Sequence, residues 1–410
     1  MTTLDTTHGV TSREPSPPSE GEYRQDITVA FHYPVVFTHG VFNPANPVLE
    51  RAMAGADTRR QHRAMVFLDA GVAAARPALA GEIEAYFAAH VSTLHLAAAP
   101  RMLEGGERAK SGWSRVQSII TDIAAHKLCR HSYVLAIGGG SMLDMVGFAA
   151  SLVHRGLRLV RLPTTVLAQN DGGVGVKTGL NEHGSKNFIG TFAPPHAVID
   201  DFDFLATLPE RDWTGGIAEA FKVAIIRDAA FLDYLFARAE ALRRRDMGCM
   251  EYLVRRCAEL HLDHIREGGD PFETGTARPL DFGHWSAHRL EVLSDYTLGH
   301  GQAVAIGVAL GSLYAAHGGF IATDAAWRIV RGLQRSGLPV WHTLLERRDA
   351  AGRLAVIEGL DQFREHLGGE LTVTLPNGLG RKQEVNSMDT ALIESCIAEL
   401  HAHVVESTPC

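Results

Sequence analysis

The sequence predicts an α/β protein in which a parallel-sheet domain precedes a mostly helical domain. Between residues 27 and 199, short β-rich runs such as RAMVFLDA, YVLAIGGG and HAVIDD alternate with helical stretches, as they do in a parallel sheet covered by helices. Beyond Asp203 the β-rich runs fade, and segments such as HGQAVAIGVALGSLYAAH have a helical period. We therefore predict an α/β domain over residues 25–203 and a helical domain over residues 204–402, with a ligand site in the cleft between them.

The two ends of the chain are unlike either domain. Residues 1–24 are rich in Thr, Ser and Pro and lack the apolar segment of a signal peptide, so we predict a disordered tail. Residues 403–410 are predicted to form a second, short tail. The longest apolar run, at 303–316, contains two glycines and is too short to cross a bilayer. We therefore expect no transmembrane segment.

The net charge and the cysteine content indicate which partners and which cellular compartment to expect. The 410 residues carry a formal net charge of -8 and no long basic run, so neither nucleic acid nor an anionic membrane is an expected partner. The five cysteines are scattered without CxxC spacing, which is typical of reduced thiols in a cytoplasmic enzyme. These features indicate a cytoplasmic protein that acts on a small molecule.

A polar stretch between Leu162 and Pro195 is the strongest local signal of function. Its residues Lys177, Lys186 and Asn187 stand among glycines that let backbone N–H groups approach a ligand closely. Cationic and amide groups of this kind are good donors to phosphate oxygens. The stretch therefore predicts a phosphorylated substrate.

A second signal, for a nucleotide, follows the predicted strand YVLAI. The strand runs directly into Gly138, Gly139, Gly140 and Ser141 and then into a helix, the arrangement in which a pyrophosphate meets a helix N-terminus. Leu143 stands in the place of the usual third glycine, so a plain strand-to-helix turn is the alternative.

Three charged residues are candidates for the same nucleotide site. Asp69 ends the run AMVFLD, where a carboxylate either holds ribose hydroxyls or caps the next helix. Glu107 and Lys110 in GGERAKS either contact the nucleotide or begin a solvated helix. The residues alone leave both alternatives open.

Histidines and one glutamate indicate a metal site in the helical half. His284 and His288 in DFGHWSAHRL are four residues apart and share a helix face, and His300 follows after a glycine-flanked turn. Glu219 lies in an otherwise apolar helical segment, where a buried carboxylate needs either a metal or a cation. Lys222, three residues further on, is the alternative partner in an internal ion pair. A glutamate with two histidines would leave the open position that a catalytic zinc requires.

Taken together, the motifs resemble the sugar phosphate cyclases, the superfamily of 3-dehydroquinate synthase. In chain order they are GGERAKS, AIGGGSMLDMVGFAA, LPTTVLAQNDGGVGVKTG, KNFIGTFAPP, GIAEAFK, DFGHWSAH and HGQAVAIG, and the resemblance extends from about Val66 to the C-terminal region. It implies a Rossmann-like, NAD-binding parallel-sheet domain, a C-terminal all-α domain that binds Zn²⁺ or Co²⁺, and a homodimer.

Matching the motifs position by position implies roles for individual residues. The implied metal ligands are Glu219, His284 and His300. The implied nucleotide contacts are Asp69, Glu107, Lys110, Gly139, Gly140, Ser141, Asp144, Thr164, Thr165, Asp171, Lys177 and Lys186. The implied substrate contacts are Arg155, Asp171, Lys177, Lys186, Asn187, Lys222, Asp281, His288 and His366, of which Lys177, Lys222, Asp281 and His288 are the implied catalytic residues. In the family the arginine reaches the phosphate bound by the neighbouring subunit, so Arg155 would complete a dimer partner's site.

Departures from the dehydroquinate synthase pattern bear on the substrate. Asp281 stands where those enzymes carry an Asn, and His261 and His366 stand in the regions of two lysines. The Arg that holds the substrate carboxylate is missing near Ala277, although Arg278 lies beside it. Loss of this positive charge would leave a buried carboxylate unpaired. The resemblance therefore favours the sedoheptulose 7-phosphate cyclases, whose substrate lacks a carboxylate.

The same resemblance implies a reaction that uses NAD without net redox change. A ring hydroxyl is oxidised transiently, phosphate is eliminated, the hydride is returned and an intramolecular aldol closes a valiolone-type carbocycle. His288 favours a 2-epi-valiolone product over the 2-epi-5-epi-valiolone type. Three alternatives stay open: a 3-dehydroquinate synthase acting on the carboxylated heptulosonate 7-phosphate, a metal-dependent polyol dehydrogenase, and a non-enzymatic nucleotide- or carbohydrate-binding protein.

Overall fold

The computed structural model describes residues 21, 23, 25–55, 60–183, 185–268, 272, 280–366 and 369–407. Contacts divide the chain into two units, residues 1–32 and residues 33–410, and all helices and strands discussed below lie in the second unit. Within this described part of the chain, no helix is long and apolar enough to cross a membrane. The predicted tail at 1–24 falls almost entirely outside the described residues, and the predicted boundary between residues 203 and 204 stays a prediction.

The first half of the second unit is built on a seven-stranded sheet whose strand pairs are all parallel. The strands of the described chain are β1 (Val35–Thr38), β2 (His62–Asp69), β3 (Leu94–Leu96), β4 (Arg101–Leu103), β5 (Tyr133–Gly138), β6 (Arg158–Pro163), β7 (Lys177–Glu182), β8 (Ser185–Phe192), β9 (Ala197–Asp201), β10 (Val373–Pro376) and β11 (Lys382–Val385). The sheet has the order β1-β9-β6-β5-β2-β3, and β4 also pairs with β2. β7 and β8 form a separate antiparallel hairpin, as do β10 and β11.

Helices cover the sheet and then make up most of the second half. They are α1 (Val48–Ala54), α2 (Ala70–Ala75), α3 (Leu79–Ala89), α4 (Trp113–Ala125), α5 (Gly140–Leu152), α6 (Glu210–Arg227), α7 (Ala229–Arg243), α8 (Met247–Glu267), α9 (His284–Leu293), α10 (His300–His317), α11 (Thr323–Arg335), α12 (Glu358–His366) and α13 (Thr390–Ser407). This succession confirms the predicted parallel sheet followed by a mostly helical region, although the β10–β11 hairpin means that the second half is not all-α as the family resemblance implied.

Successive residues of the central strands enter two cores on opposite faces of the sheet. In β5, Leu135 belongs to the core that contains Tyr86 of α3, whereas Val134 belongs to the core that contains Phe148 of α5. Because both faces are covered, every residue of β5 is buried. This explains why its sequence is continuously apolar rather than alternating.

The strand order places several loops along one edge of the sheet. The chain leaves β2 for β3 and β4 on one side and returns to β5 on the other, so the winding direction reverses between β2 and β5. In open α/β sheets, ligands bind outside the carboxyl ends of the strands at such a reversal. Asp69 ends β2, Gly139 follows β5 and Thr164 follows β6. These three residues therefore lie at the edge where a ligand is expected.

Glycines allow α6, α9 and α10 to approach one another closely. A Cβ atom added to Gly301, in the first turn of α10, would lie 2.2 Å from the carbonyl oxygen of Gly215 in α6. Gly283 precedes α9 with a φ of +78°, and a Cβ atom there would lie 2.8 Å from the carbonyl carbon of Gly307 in α10. The backbones of the three helices are thus in direct contact, which brings the first residues of α9 and α10 beside α6.

Replacing Gly301 with alanine is expected to lower the free energy of unfolding by about 1–3 kcal/mol, because the new methyl group would collide with backbone that cannot move aside. Urea denaturation measures the effect. Gly81 provides the matched control, since it lies inside α3 and an added Cβ atom would meet nothing within 4 Å. Gly81→Ala should instead raise stability by up to about 1 kcal/mol. A Gly301→Ala variant as stable as the wild type would contradict the packing argument.

The last helix extends into the segment predicted as a C-terminal tail. α13 continues to Ser407, so residues 403–407 are helical rather than a tail. The ring of His403 lies 4.7 Å from the ring of Trp327, and its Nε2 lies 3.1 Å from Oε1 of Gln334. These contacts hold the end of the helix against α11.

A carboxylate is buried in the middle of β9 without a hydrogen-bond partner among the described residues. Asp200 has no exposed surface, and neither of its oxygens accepts a hydrogen bond. Burial raises the pKa of Asp200 well above its usual value, and the nearby charge of Arg255 opposes the shift only in part. The folded state therefore favours the protonated form. Stability is lost as the pH rises from the unfolded pKa towards the folded pKa.

Replacing Asp200 with asparagine, which keeps the shape but cannot ionise, is expected to raise the free energy of unfolding at pH 7 by about 1 kcal/mol or more. The difference in free energy of unfolding between variant and wild type should increase as the pH rises above about 4. Urea denaturation at a series of pH values checks both points. Asp233→Asn, at an exposed ion pair with Arg328, is the control and should show no such increase. If the difference in free energy of unfolding between Asp200→Asn and the wild type did not change with pH, ionisation of Asp200 would not be the cause of the stabilisation.

Candidate active site

A cavity of about 630 Å³ is lined by residues from the carboxyl edge of the sheet and from the helices of the second half. The predicted site residues that line it are Asp69, Glu107, Lys110, Gly139, Gly140, Ser141, Asp144, Thr164, Thr165, Asp171, Lys177, Lys186, Asn187, Asp281, His284, His288 and His300. Glu219, Lys222 and Arg155 are not among the lining residues. One cavity thus collects most of the residues to which three separate functions were assigned.

Glu219, His284 and His300 converge at the wall of this cavity. Nε2 of His300 lies 3.2 Å and Nε2 of His284 lies 3.7 Å from Oε1 of Glu219. Each residue offers a ligand atom within 4.8 Å of the other two. Glu219 is completely buried in α6, and the two histidines begin α9 and α10, so the glycine contacts between these helices bring the three side chains together.

The ion pair between Glu219 and Lys222 also exists, on the other carboxylate oxygen. Nζ of Lys222 lies 2.6 Å from Oε2 of Glu219, and both side chains are buried. Burial would raise the pKa of Glu219, but the charge of Lys222 holds it well below its usual value. The two alternatives for Glu219 are therefore compatible, because one oxygen is paired with the lysine while the other faces the imidazoles.

Glu291 is a site residue that the sequence analysis missed. Its Oε2 lies 3.0 Å from Nδ1 of His300, and its Oε1 accepts a hydrogen bond of 2.8 Å from Lys186. A carboxylate behind a histidine orients the ring and fixes its tautomer, as it does in many metal sites. The available signal was helical spacing, since Glu291 follows His284 by seven residues, or two turns on the same face.

His288, Glu291 and His300 form a second cluster with the spacing of metal ligands. Nζ of Lys186 lies 2.8 Å from Glu291 and 3.4 Å from Nδ1 of His300. The pKa of Lys186 is raised, because its neighbours Glu291 and Glu107 outweigh the effect of burial. The ammonium group of Lys186 therefore supplies the positive charge at this second cluster.

The glycine turn after β5 also lines the cavity. Gly139 is the residue that precedes α5, and a Cβ atom on Gly140 would meet nothing within 4 Å. The space in front of the N-terminus of α5 is therefore open to a ligand. Asp69 accepts a hydrogen bond of 2.7 Å from the backbone N–H of Gly71, so it caps α2 as the alternative reading held, and it also lines the cavity.

Two hydrogen-bonded groups extend from the glycine turn. Glu107 accepts hydrogen bonds from Ser141 (2.5 Å) and from Asn181 (2.8 Å). Lys110 donates to Asp144 (2.5 Å) and to the side-chain oxygen of Asn187. Lys110 is only 2% exposed, so the alternative of a solvated helix start does not apply to it.

A buried arginine holds the backbone around Lys177 in place through hydrogen bonds. Arg161 in β6 has no exposed surface and donates hydrogen bonds to the carbonyl oxygens of Gly173 (3.2 Å), Gly175 (2.7 Å) and Lys177 (2.8 Å). These bonds fix the polar stretch that the sequence analysis singled out. Its glycine-rich loop is therefore an ordered wall of the cavity.

Asp171 and Asp281 give one end of the cavity an acidic lining. Nδ1 of His261 lies 2.8 Å from Oδ1 of Asp171, although His261 itself does not line the cavity. Burial opposes ionisation of Asp171, but the charges of Lys222 and His261 lower its pKa to about 2. His261, which stands in the region of a family lysine, thus contacts Asp171 from outside the cavity lining.

Three further candidates lie away from the cavity or outside the described side chains. Arg155 is exposed and has a left-handed backbone with a φ of 65° just after α5. The side chain of His366 lies outside the described residues, as do Ala277 and Arg278. The prediction that a carboxylate-binding arginine is missing therefore rests on the sequence.

Comparison with known proteins places this site in a family. Models of the N-terminal and C-terminal parts of 3-dehydroquinate synthase match residues 101–215 and 216–356. A 2-epi-5-epi-valiolone synthase of Streptomyces glaucescens is 33% identical over 376 residues, which cover 90% of this chain and 91% of that protein. The chain belongs to the 3-dehydroquinate synthase-like sugar phosphate cyclases. The resemblance stated from the motifs is therefore confirmed.

Solved structures share the fold of this sugar phosphate cyclase. ValA, a 2-epi-5-epi-valiolone synthase from Streptomyces hygroscopicus subsp. jinggangensis 5008 with NAD⁺ and Zn²⁺ bound, is 30% identical and matches with a TM-score of 0.82 over 93% of this chain and 100% of that one. A 2-deoxy-scyllo-inosose synthase complexed with carbaglucose-6-phosphate, NAD⁺ and Co²⁺ matches with a TM-score of 0.71 and 20% identity, over 89% and 96% of the two chains. A probable glycerol dehydrogenase from Sinorhizobium meliloti 1021 matches with a TM-score of 0.58 and 17% identity, over 91% and 98%. The last two show the fold alone.

Proposed function

We propose that this enzyme converts sedoheptulose 7-phosphate to a valiolone-type carbocycle with release of inorganic phosphate. The observation that carries the proposal is that one cavity combines a glycine turn for a nucleotide, a Glu-His-His cluster for a metal and a lysine-rich wall for a phosphate. A polyol dehydrogenase has no use for the third of these. The Streptomyces glaucescens protein and ValA, at 33% and 30% identity, both carry the name 2-epi-5-epi-valiolone synthase, which favours that product over the 2-epi-valiolone inferred from His288.

The residues fit a divalent metal and NAD, the groups present in the ValA structure. A completely buried carboxylate oxygen faces two imidazole nitrogens, a donor set that suits Zn²⁺ or Co²⁺. The open space before the N-terminus of α5 suits a pyrophosphate. When bound, NAD⁺ supplies a reversible hydride acceptor and the metal supplies a Lewis acid.

The chain's own residues would hold the substrate and its leaving group. Lys177, Asn187 and His288 line the same cavity as the metal cluster and provide charged and neutral donors for phosphate oxygens. Because Oδ1 of Asn187 accepts from Lys110, the amide nitrogen of Asn187 is left as its donor group. Elimination of phosphate places extra negative charge on these oxygens, so donors held in place stabilise the departing group.

The acidic end of the cavity supports a substrate without a carboxylate. Asp171 and Asp281 line it, and the ammonium of Lys222 behind it is already paired with Glu219. A substrate carboxylate here would face two like charges, and the nearby cation Lys222 is already engaged by Glu219 and Asp171, which is unfavourable in a desolvated site. Hydroxyl groups can donate hydrogen bonds to both aspartates, so a terminal CH₂OH fits this end better.

Phosphate release from two alternative sugars tests the proposal. With NAD⁺ and Co²⁺ or Zn²⁺ present, sedoheptulose 7-phosphate should release inorganic phosphate and the carboxylated heptulosonate 7-phosphate should not. NMR of the product then distinguishes the valiolone epimers. Release from the carboxylated sugar alone would identify a 3-dehydroquinate synthase instead.

A homodimer is part of the proposal, because Arg155 is exposed and does not line the cavity of its own chain. Arg155 follows α5 on the surface, close in sequence to the exposed apolar residue Leu152. We propose that Arg155 reaches the phosphate in the neighbouring subunit's cavity.

Mixing subunits tests the shared site. Arg155→Ala and Lys177→Met homodimers should each be nearly inactive, whereas co-expressed chains should regain about a quarter of wild-type turnover, since half the dimers are mixed and each mixed dimer keeps one intact site. Size-exclusion chromatography with light scattering checks the dimer itself. Absence of any complementation would contradict the shared site.

A further inference from the structure

Asn181 connects the nucleotide side of the cavity to the phosphate side without lining the cavity itself. Its Nδ2 donates a hydrogen bond of 2.8 Å to Oε1 of Glu107, and its Oδ1 accepts one of 2.9 Å from the backbone N–H of Asn187. Glu107 and Asn187 both line the cavity, whereas Asn181 does not. The residue is 6% exposed. A single buried amide thus spans the two binding regions.

Local backbone geometry explains how Asn181 reaches both neighbours. The pairing of β7 with β8 shifts register between Leu180 and Glu182, which places Asn181 at a bulge. Bulges redirect a side chain out of the regular alternation of a strand and occur often beside active sites. Here the redirected amide lies between the 107–110 helical turn and β8.

The partner on the phosphate side adopts an unusual conformation. Asn187 has a φ of 55°, a left-handed conformation that is uncommon for a residue other than glycine. Its backbone N–H is held by Asn181 and its side-chain oxygen by Lys110. These two bonds set the direction in which the amide nitrogen of Asn187 is offered to a ligand.

The partner on the nucleotide side is fixed by the glycine turn. Glu107 accepts from Ser141 with its other oxygen, and Ser141 is in the first turn of α5, directly after the turn where the nucleotide is proposed to bind. A nucleotide that orders Ser141 and Glu107 therefore also orders Asn181. The conformational entropy lost on fixing Asn187 is then already lost when NAD⁺ binds, so it no longer opposes phosphate binding.

We propose that Asn181 is a positioning residue that couples nucleotide binding to phosphate binding, so that bound NAD⁺ prepares Asn187 for the substrate phosphate. This inference rests on the proposed function, since it takes the two regions to bind NAD and a sugar phosphate. Coupling between two sites is reciprocal, so phosphate should tighten NAD⁺ binding by the same factor.

Calorimetry on the metal-loaded enzyme, with NAD⁺ and inorganic phosphate as the probes, tests the coupling. In the wild type, saturating NAD⁺ should lower the Kd of phosphate by about fivefold or more. In Asn181→Ala this ratio should fall to about half its wild-type value or less, because both hydrogen bonds of Asn181 are lost and only the link from Asp144 through Lys110 to Asn187 remains. A variant with the wild-type ratio would overturn the inference, and so would a wild type that binds both probes independently.

Asn181→Asp distinguishes the hydrogen bond to Glu107 from the hydrogen bond with Asn187. It also provides a second test if the alanine variant does not fold. A carboxylate still accepts from the N–H of Asn187 but cannot donate to Glu107 and places a like charge beside it. The Kd of NAD⁺ should therefore rise about tenfold or more, whereas the Kd of phosphate without NAD⁺ should stay within about threefold of the wild type. Equal weakening of both probes would overturn the assignment.

Asn46→Ala is the matched control for loss of a structural amide. Asn46 donates to Thr38 (3.0 Å) and to the carbonyl oxygen of His39 (2.9 Å), outside the cavity lining. Its variant should lose stability but keep the wild-type ratio of phosphate affinities. Failure of the wild type to bind NAD⁺ at all would reject the proposed function, which is a different outcome from independent binding of the two probes.

Discussion

Glu219→Gln is expected to lower metal affinity by about 10²-fold or more and to leave almost no turnover. The amide removes the negative charge that faces His284 and His300, so a divalent cation loses its one anionic ligand. It also removes the carboxylate charge that lies 2.6 Å from the buried ammonium of Lys222. Metal content after dialysis, measured by mass spectrometry, checks the first effect, and phosphate release checks the second.

A surface pair provides the control for this substitution. Glu399 lies 2.8 Å from Nε2 of His317 in an exposed carboxylate–imidazole contact. Glu399→Gln removes a carboxylate from a histidine without touching the cavity, so metal content and turnover should match the wild type. A Glu219→Gln protein that keeps one equivalent of tightly held metal would show that the cluster is not the metal site.

Lys177→Met is expected to slow phosphate release by about 10²- to 10³-fold, because a charge-assisted donor to the leaving group is lost. Methionine keeps a similar length and an unbranched shape, and the carbonyl oxygen of residue 177 can still accept from Arg161. The backbone of the loop should therefore remain in place. Stopped-flow or coupled phosphate assays measure the effect on turnover.

The pattern of kinetic effects identifies the role of Lys177. Turnover should fall by a larger factor than NAD⁺ affinity, since the glycine turn and α5 are untouched and Lys177 is one of several implied nucleotide contacts. Lys382→Met, at an ion pair with Glu384 in the β10–β11 hairpin, is the control and should leave turnover unchanged. Near-normal phosphate release by Lys177→Met would remove Lys177 from the leaving-group site.

The sequence was sufficient to predict the order of sheet and helices, and most of the site residues predicted from it line the cavity. Parallel strands bury both faces, so runs such as YVLAIG are readable without knowledge of their partners. His284, His300 and Glu219 were found because a charged or metal-binding residue in an apolar segment stands out. Their convergence depends on the contact of Gly215 with Gly301, which the sequence does not express.

Two residues that the sequence analysis missed, Glu291 and Asn181, contact other side chains of the site. Glu291 supports His300 and Lys186, and Asn181 supports Glu107 and Asn187. The contacts of Glu291 with Lys186 and of Asn181 with Glu107 join residues that are 105 and 74 positions apart in the chain. Periodicity reports only which face of a strand or helix a residue occupies. A bulge such as that at Asn181 breaks even this rule.

Turnover with a limiting amount of NAD⁺ tests the central claim most directly. The account predicts that sedoheptulose 7-phosphate and metal, with less NAD⁺ than substrate, yield one inorganic phosphate per substrate consumed and no net rise in the near-ultraviolet absorbance of NADH, because the hydride is returned in each cycle. Accumulation of one NADH per product, with the reaction stopping when NAD⁺ is exhausted, would contradict it and identify a dehydrogenase.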